Sequence, residues 1–250
     1  MELFSVSILA VAVPAVLFAG ISKGGFGSGA AFASASILTL VLDPGLALGI
    51  MLPLLMLIDV ASLPAYWRKW HWAEARVLLI GALPGVVLGA LFYSWANPDV
   101  IRFLIGFVSL AFVAWQMAQK SGLLRFDRKF GARAGLISGG VLGFTSFVSH
   151  AGGPAAAVYL LGQGLPKTAY QATTVLVFWA VNLFKVGFYA SLGIFSTETL
   201  ALDLALAPFA VLGAWLGIKG HDRVSERTFF AITYIALTLT GAKLIWDALT

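Results

Sequence analysis

The stretch Ser22-Lys23-Gly24-Gly25-Phe26-Gly27-Ser28-Gly29 interrupts an apolar run that begins near Leu3. Glycine is a poor helix former, so four glycines within six positions predict a break in the helix. Two small hydroxyls and one lysine lie in the same stretch. At membrane depth, irregular backbone is tolerated only where protein or a water-filled cavity satisfies the free amides. We therefore expect a broken helix beside a buried polar site.

The composition predicts an all-α polytopic membrane protein rather than a soluble fold. Hydrophobic residues make up 60% of the chain, charged residues only 11%, and the mean hydropathy is +0.94. Apolar stretches recur from end to end, so we expect a single transmembrane domain over residues 1–250. The net charge of +5 comes from loops between apolar segments, which is typical of a membrane protein and not of nucleic-acid binding. No disulfide can form without cysteine, and no motif indicates a cofactor or a metal.

Hydropathy predicts ten apolar segments, the first of them retained in the protein rather than cleaved. The second and the seventh are too short to cross a bilayer comfortably at a rise of about 1.5 Å per residue. They either cross fully or fold back as re-entrant hairpins, and their length favours the hairpin. The ten predicted segments are 3–21, 29–42, 45–66, 73–95, 99–119, 132–149, 153–163, 168–193, 198–217 and 224–248.

Basic residues predict the orientation in the membrane. The linker 120–131 holds Lys120, Arg125, Arg128 and Lys129, and this cationic excess predicts a cytoplasmic position. The loop at Asn97 lacks such an excess and is expected outside. With these assignments both termini face outward.

An internal repeat divides the chain into two halves. Pro84-Gly85-Val86-Val87-Leu88-Gly89-Ala90 recurs as Pro208-Phe209-Ala210-Val211-Leu212-Gly213-Ala214, at a spacing of 124. At the same spacing Gly29 corresponds to Gly153, so a second break is expected at 149–154. Repeat 1 covers about 1–119 and repeat 2 about 132–250. Because each holds five segments, an odd number, we expect two inverted repeats with Gly-rich broken or re-entrant helices at the start of each half.

The pattern resembles the sulfite exporter TauE/SafE family, also called the 4-toluene sulfonate uptake permease family. The resemblance rests on the paired Gly-rich breaks, on Trp70-His71-Trp72 and on the Pro-x-x-x-x-Gly helices. It implies transport of a small anion, such as sulfite, an organosulfonate or a related carboxylate, across a prokaryotic plasma membrane. The first break lacks the proline that often follows in the family, whereas Pro154 follows the second. The identity of the first-half ligands is therefore less well defined.

The two breaks predict an anion site. A helix that starts inside the membrane points free N–H groups and a positive dipole end at its surroundings, and glycine lets an oxyanion approach closely. The alternative is that the glycines serve close helix packing and that the hydroxyls bond back to their own helix. The predicted substrate-binding residues are Ser22, Lys23, Gly25, Gly27, Ser28, Gly29, Ser149, His150, Gly152 and Gly153.

Lys23 and His150 each have two interpretations. Lys23 either neutralises the substrate or extends to the cytoplasmic surface. His150 either binds the anion or a proton, or it caps the segment that starts at Gly153.

Three further polar residues lie near the middle of apolar segments, where ionisable groups usually face a partner or a cavity. Asp59 and Asn182 occupy nearly equivalent positions of the two halves. We expect Asp59 to pair with Lys185, either for ion coupling or as a structural charge pair.

Together these features predict a secondary transporter for a small anion. Its partners would be the anion and the lipid bilayer, and coupling to protons or another ion stays open, as does the oligomeric state. An anion channel is the closer alternative. An intramembrane enzyme is less well supported, because the sequence has no His-Glu-x-x-His and no Gly-x-Ser-x-Gly motif.

Overall fold

The structure is a computed structural model that describes residues 3–26, 30–123, 130–221 and 226–250, the last of these from 229 onward for side chains. The described chain is all helical, with ten α-helices. A π-helical turn, Ser22–Phe26, follows α1 directly. The helices are α1 Val6–Ile21, α2 Ala33–Leu38, α3 Pro44–Tyr66, α4 Trp72–Trp95, α5 Pro98–Lys120, α6 Ala132–Ser149, α7 Gly153–Gly162, α8 Lys167–Ser191, α9 Thr197–Gly220 and α10 Glu226–Leu249.

Several helices start at residues whose side chains satisfy the first free N–H groups. The Asp43 carboxylate accepts from Gly45 N–H at 3.0 Å, and the Asn97 side chain accepts from Val100 N–H at 2.9 Å. Proline follows each cap at the first helical position, where its missing N–H costs nothing. Ser196 begins α9 with a reciprocal capping box. These local signals place the ends of α3, α5 and α9 near the predicted segment boundaries.

The chain is a multi-pass membrane protein. Among the described residues, seven helices are long and apolar enough to cross a membrane: α1 with its π turn, α3, α4, α5, α8, α9 and most of α10. The second and seventh segments are short, as expected, and α7 has 10 residues. The second is shorter than predicted, because only the 6 residues Ala33–Leu38 of the segment 29–42 are helical.

The expected helix break does not begin at Ser22. Ser22–Phe26 remains helical as a π turn, and Gly27, Ser28 and Gly29 lie outside the described residues. Three consecutive carbonyls in this turn accept side-chain hydrogen bonds from three other helices or their ends. Gln171 Nε2 donates to Lys23 O at 2.5 Å, Tyr66 Oη to Gly24 O at 2.6 Å, and the Nδ1 of His221 to Gly25 O at 2.6 Å. The carbonyls that a helix end leaves without partners are thereby satisfied.

The most extensive helix contacts join a helix before residue 121 to one after residue 131. The packed pairs are α4–α6, α1–α9, α5–α10, α3–α8, α3–α9 and α4–α8. In the described part of the chain, the two largest apolar clusters follow these contacts: one is built mainly from α4, α6 and α8, and the other mainly from α1, α3 and α9. The two halves of the chain therefore interlock instead of forming separate bodies.

Glycines allow the closest of these crossings. A Cβ added at Gly143 of α6 would lie 2.1 Å from the Ala82 carbonyl oxygen of α4, and one at Gly25 would lie 2.1 Å from Gly217 O of α9. At Gly106 of α5 it would lie 2.7 Å from the Gly241 oxygen of α10. Backbones in direct contact leave no room for a side chain. The close packing therefore leaves no room for a side chain at Gly106 or at Gly25, which was also predicted to bind substrate.

Candidate functional site

Five polar side chains from both halves meet in the apolar interior. They are Lys23 in the π turn, Asp59 in α3, His150 between α6 and α7, and Asn182 and Lys185 in α8, each at most 5% exposed. Ionisable groups buried at this depth in a membrane protein mark a functional site by default. All five were singled out in the sequence, where each is a polar residue in or beside an apolar segment.

Lys23 and Asp59 form a buried ion pair. Lys23 Nζ lies 2.7 Å from Asp59 Oδ1 and 2.8 Å from Oδ2, and it also faces the Phe178 ring at 5.6 Å. The side chain of Lys23 is 3% exposed, so it does not extend to the surface. The expectation that Asp59 pairs directly with Lys185 is wrong, because the π turn directs Lys23 inward to this carboxylate.

Asn182 links this ion pair to Lys185. Its Nδ2 donates to Asp59 Oδ2 at 3.0 Å, and Lys185 Nζ donates to its Oδ1 at 3.4 Å. The amide thus separates Asp59 from Lys185 while contacting both. The three residues predicted as a coupling or structural group do lie together, with the asparagine in the middle.

Lys185 Nζ is held mainly by α6. It donates to Ser146 O at 2.7 Å, lies 3.3 Å from Ser146 Oγ, and lies 2.9 Å from His150 Nδ1. The Tyr189 ring of the same helix lies 5.5 Å away. Lys185 therefore links α8 to the end of α6, both in the second half of the chain.

His150 ends α6 in the left-handed region, with φ 53°. Its N–H bonds to Ser146 O at 3.1 Å, and its Nε2 lies 3.1 Å from Leu48 O of α3. The interpretation of His150 as a cap of α7 is wrong, because both nitrogens of its side chain contact other partners, Leu48 O of α3 and Lys185 Nζ. Non-glycine residues in this backbone region are uncommon and concentrate at functional sites.

The other predicted binding residues are placed less favourably for contact with an anion. Ser149 Oγ donates to Thr145 O of its own helix at 2.8 Å, which is the back-bonding alternative. A Cβ at Gly152 would lie 2.9 Å from Leu142 O, so this glycine serves packing. Ser22 is buried and Gly153 begins α7. Gly27, Ser28 and Gly29 lie outside the described residues, so no contact of theirs is described.

A small cavity lies among the polar cluster. Its volume of about 10 Å³ is room for one water molecule. Elements of both halves enclose it, and the lining side chains are all buried. They are Lys23, Ala31, Phe32, Leu55, Ser146, His150, Phe178 and Asn182.

A much larger pocket, the basic vestibule, lies on the other side of the π turn. Its volume is about 440 Å³, and Gly25 and Phe26 form part of its wall. Its polar lining residues are Gln116, Lys120, Lys167, Gln171 and His221. Gln171 also donates to Lys23 O, and residues of the π turn and of α8 line both the vestibule and the small cavity.

Sequence reasoning missed four contributors to the site: Ser146, Gln171, Phe178 and the carbonyl of Leu48. Ser146 lies one helical turn before His150, a spacing that places both on the same side of α6. That signal is present in the sequence. Nothing local marks Phe178 or the Leu48 carbonyl, whose roles arise only from the way α3 packs on α8.

The chain matches a protein-family model over most of its length. No curated protein and no solved structure matches the chain. The family model described as "Sulfite exporter TauE/SafE" matches residues 12–244, which includes every helix that contributes to the cavity. A match over this length, together with the membrane-spanning helices, identifies the chain as a member of the sulfite exporter TauE/SafE family of membrane transporters.

Proposed function

We propose that the protein is a secondary transporter that moves a small anion, sulfite or an organosulfonate or a related sulfur-containing or carboxylate anion, across the prokaryotic plasma membrane by alternating access. The observation that carries this proposal is the charge of the buried cluster. Among the described residues, two lysines and a histidine meet one carboxylate there, which leaves room for one negative charge. An oxyanion between Lys23 and Asn182 would supply that charge and accept hydrogen bonds from both side chains.

The size of the two cavities supports alternating access. The small cavity cannot hold an oxyanion as it stands, whereas the basic vestibule can. Binding then requires the π turn and α8 to move apart, which would join the two spaces. A site closed in this way favours a transporter over an open channel, since a channel needs a continuous path for the ion.

The helix contacts support two inverted repeats, with repeat 1 over about 1–119, a cytoplasmic linker at 120–131 and repeat 2 over about 132–250. Adding five to each helix number of repeat 1 gives its counterpart in repeat 2. Under this exchange α4–α6 becomes α9–α1, α3–α9 becomes α8–α4, and α3–α8 and α5–α10 return to themselves. Each contact in the set thus has its symmetry mate, as a pseudo-twofold axis in the membrane plane requires. The interlocked halves form one domain, 1–250.

Cysteine labelling tests the inverted topology and the proposal that both termini are external. Positions 95 and 219 are equivalent at the spacing of 124, and both are exposed at helix ends. The chain has no cysteine of its own, so Trp95→Cys and Lys219→Cys each give one site. A membrane-impermeant maleimide should label position 95 from outside and position 219 from inside. Ser121→Cys is the control and should react from the same side as position 219. Labelling of 95 and 219 from one side would contradict inversion.

Anion binding tests the function itself. Purified protein should gain thermal stability with at least one of sulfite, sulfate, thiosulfate, methanesulfonate, sulfoacetate or a short carboxylate. Removing the amide that faces the cavity, in Asn182→Ala, should weaken binding by roughly tenfold or more, since a hydrogen bond to a charged group is worth about 1.5–3 kcal/mol. Calorimetry on the purified variant measures this change.

Gln163→Ala is the matched control, because this buried amide bonds to Phe130 O at 2.9 Å and does not line the cavity. It should bind as the wild type does. Equal affinity of both variants would place the anion elsewhere. In proteoliposomes the flux should saturate with anion concentration, and flux that rises without limit would indicate the channel alternative. An intramembrane enzyme would instead convert the anion, which mass spectrometry of the transported species would detect.

A further inference from the structure

We propose that Lys185 and His150 share one exchangeable proton and that this proton is bound and carried together with the anion. The inference rests on the proposed function and names its coupling ion. It follows from the hydrogen-bond directions around the two side chains.

The partner of His150 Nε2 determines the tautomer of the imidazole. Its neighbour at 3.1 Å is the carbonyl oxygen of Leu48, and a carbonyl can only accept. Nε2 therefore carries a hydrogen. A neutral imidazole has one N–H, so its Nδ1 then holds a lone pair that points to Lys185 Nζ at 2.9 Å.

The partners of Lys185 Nζ determine where its N–H bonds point. Asn182 donates through Nδ2 to the carboxylate of Asp59, so its oxygen faces Lys185 and can only accept. Ser146 O, the nearest neighbour at 2.7 Å, also only accepts. The N–H bonds of Lys185 are directed at these two oxygens and, as a longer contact, at Ser146 Oγ at 3.3 Å. The remaining position on Nζ faces His150 Nδ1.

One proton lies between Lys185 Nζ and His150 Nδ1, whichever of the two residues carries the charge. If Lys185 is an ammonium, its third N–H donates to the Nδ1 lone pair. If Lys185 is a neutral amine, its lone pair must accept from an Nδ1–H on a charged imidazolium. With neither proton, two lone pairs would face each other across 2.9 Å. The contact thus holds one proton, and Lys185 and His150 together carry one positive charge.

The surrounding groups leave that charge without a counter-ion. The charges of Lys23 in the π turn and Asp59 in α3 neutralise each other, with Lys23 Nζ at 2.7 Å from Asp59 Oδ1. From α8, Tyr189 faces Lys185 with its ring and donates its hydroxyl to Phe147 O. From α4, Tyr93 packs against Phe147. Among the described residues no carboxylate forms an ion pair with Lys185. A buried charge of this kind is unfavourable until an anion joins it.

Proton and anion binding are therefore linked. The anion stabilises the protonated state of Lys185 and His150, and by reciprocity that proton strengthens anion binding. Affinity should be independent of pH while the proton is already bound. Above the pH at which the free protein loses it, affinity should fall by about tenfold per pH unit. A monovalent anion then crosses with one proton, without net charge movement.

Calorimetry on the full-length wild-type protein measures the linked proton directly. The probes are methanesulfonate, sulfate and thiosulfate, which stay ionised between about pH 5 and 9, where His and the α-amino group titrate. Repeating each titration in buffers of different ionisation enthalpy gives the protons taken up per anion. We expect uptake near zero at the acidic end, rising toward about one at the alkaline end as affinity falls.

The variant Lys185→Arg tests whether the proton taken up with the anion binds at Lys185 and His150 or elsewhere in the protein. Arginine keeps its charge throughout this pH range, so the variant should bind the same probes without proton uptake and without pH dependence. Lys243→Arg is the control: this exposed lysine pairs with Asp247 on α10, and its replacement should leave the wild-type uptake unchanged.

The outcomes separate the two proposals. Binding in the wild type without proton uptake, and with flat affinity, would overturn the shared proton and leave the transporter assignment intact. Full uptake in Lys185→Arg would show that the proton binds elsewhere and would also overturn the inference. Failure of the wild type to bind any of the screened anions would overturn the proposed function and this inference with it. The wild-type measurement decides the question even if the arginine variant does not fold.

Discussion

Replacing Asp59 by asparagine should lower the melting midpoint of the purified protein by about 6–20 °C, the equivalent of 3–5 kcal/mol. The change removes the only carboxylate that pairs with Lys23 in the described part of the chain, and it leaves the ammonium buried. Asparagine keeps the size of the side chain and can still accept from Asn182 Nδ2. The loss therefore reports the charge rather than the shape. Thermal unfolding in detergent, followed by intrinsic fluorescence, measures it.

Two variants complete this experiment. Asp99→Asn removes a carboxylate that pairs with Arg102 at 2.6 Å on the exposed end of α5, and it should change stability by no more than about 1 kcal/mol. Lys23→Met combined with Asp59→Asn removes both charges and should recover part of the loss, because no buried charge is left alone. If the double variant is no more stable than Asp59→Asn alone, the two residues do not act as an ion pair.

Gly143→Ala and Gly25→Ala should destabilise the protein at the upper end of the usual overpacking range, about 3 kcal/mol each. The added Cβ would lie 2.1 Å from a backbone oxygen of the opposing helix in both cases. Backbone cannot move aside as a side chain can, so α4 and α6, or the π turn and α9, must separate. Size-exclusion profiles and melting midpoints of the purified variants would show the loss.

Gly187→Ala is the matched control within a helix. A Cβ there meets nothing within 4 Å, so alanine should be neutral or should stabilise α8 by up to about 1 kcal/mol. If Gly143→Ala or Gly25→Ala is as stable as Gly187→Ala, the backbones at those crossings are too far apart for an added Cβ to lie 2.1 Å from the opposing oxygen.

Residue type alone was enough to find the polar cluster. Lysine, aspartate and asparagine are rare in apolar segments, so Asp59, Asn182 and Lys185 stood out, as Lys23 did beside the first break. Segment boundaries were predictable for a similar reason, since Asp43 and Asn97 followed by proline are strong helix starts. Depth in the membrane can be read from such signals, because it depends only on distance along a helix.

The pairing within the cluster could not be read in the same way. Which side chains meet depends on the rotation of each helix about its axis, and the π turn at Ser22–Phe26 changes that rotation for Lys23. A π turn has no reliable sequence signature, and glycines there suggested a break instead. The carbonyl partners of that turn come from residues 66, 171 and 221, a set of contacts that exists only after α3, α8 and α9 have assembled.

The interlocking of the two halves has a consequence for how the protein is made. Helix α1 leaves the ribosome long before α9, its main packing partner, because 175 residues separate Ile21 from Thr197. At a synthesis rate of 5–20 residues per second that delay is about 9–35 s. During this interval the face of α1 that will pack on α9 contacts lipid. Helix α4 contacts lipid in the same way for a shorter time, until α6 has been inserted. Assembly of the native helix contacts is thus a late event, completed only when the second half has been inserted.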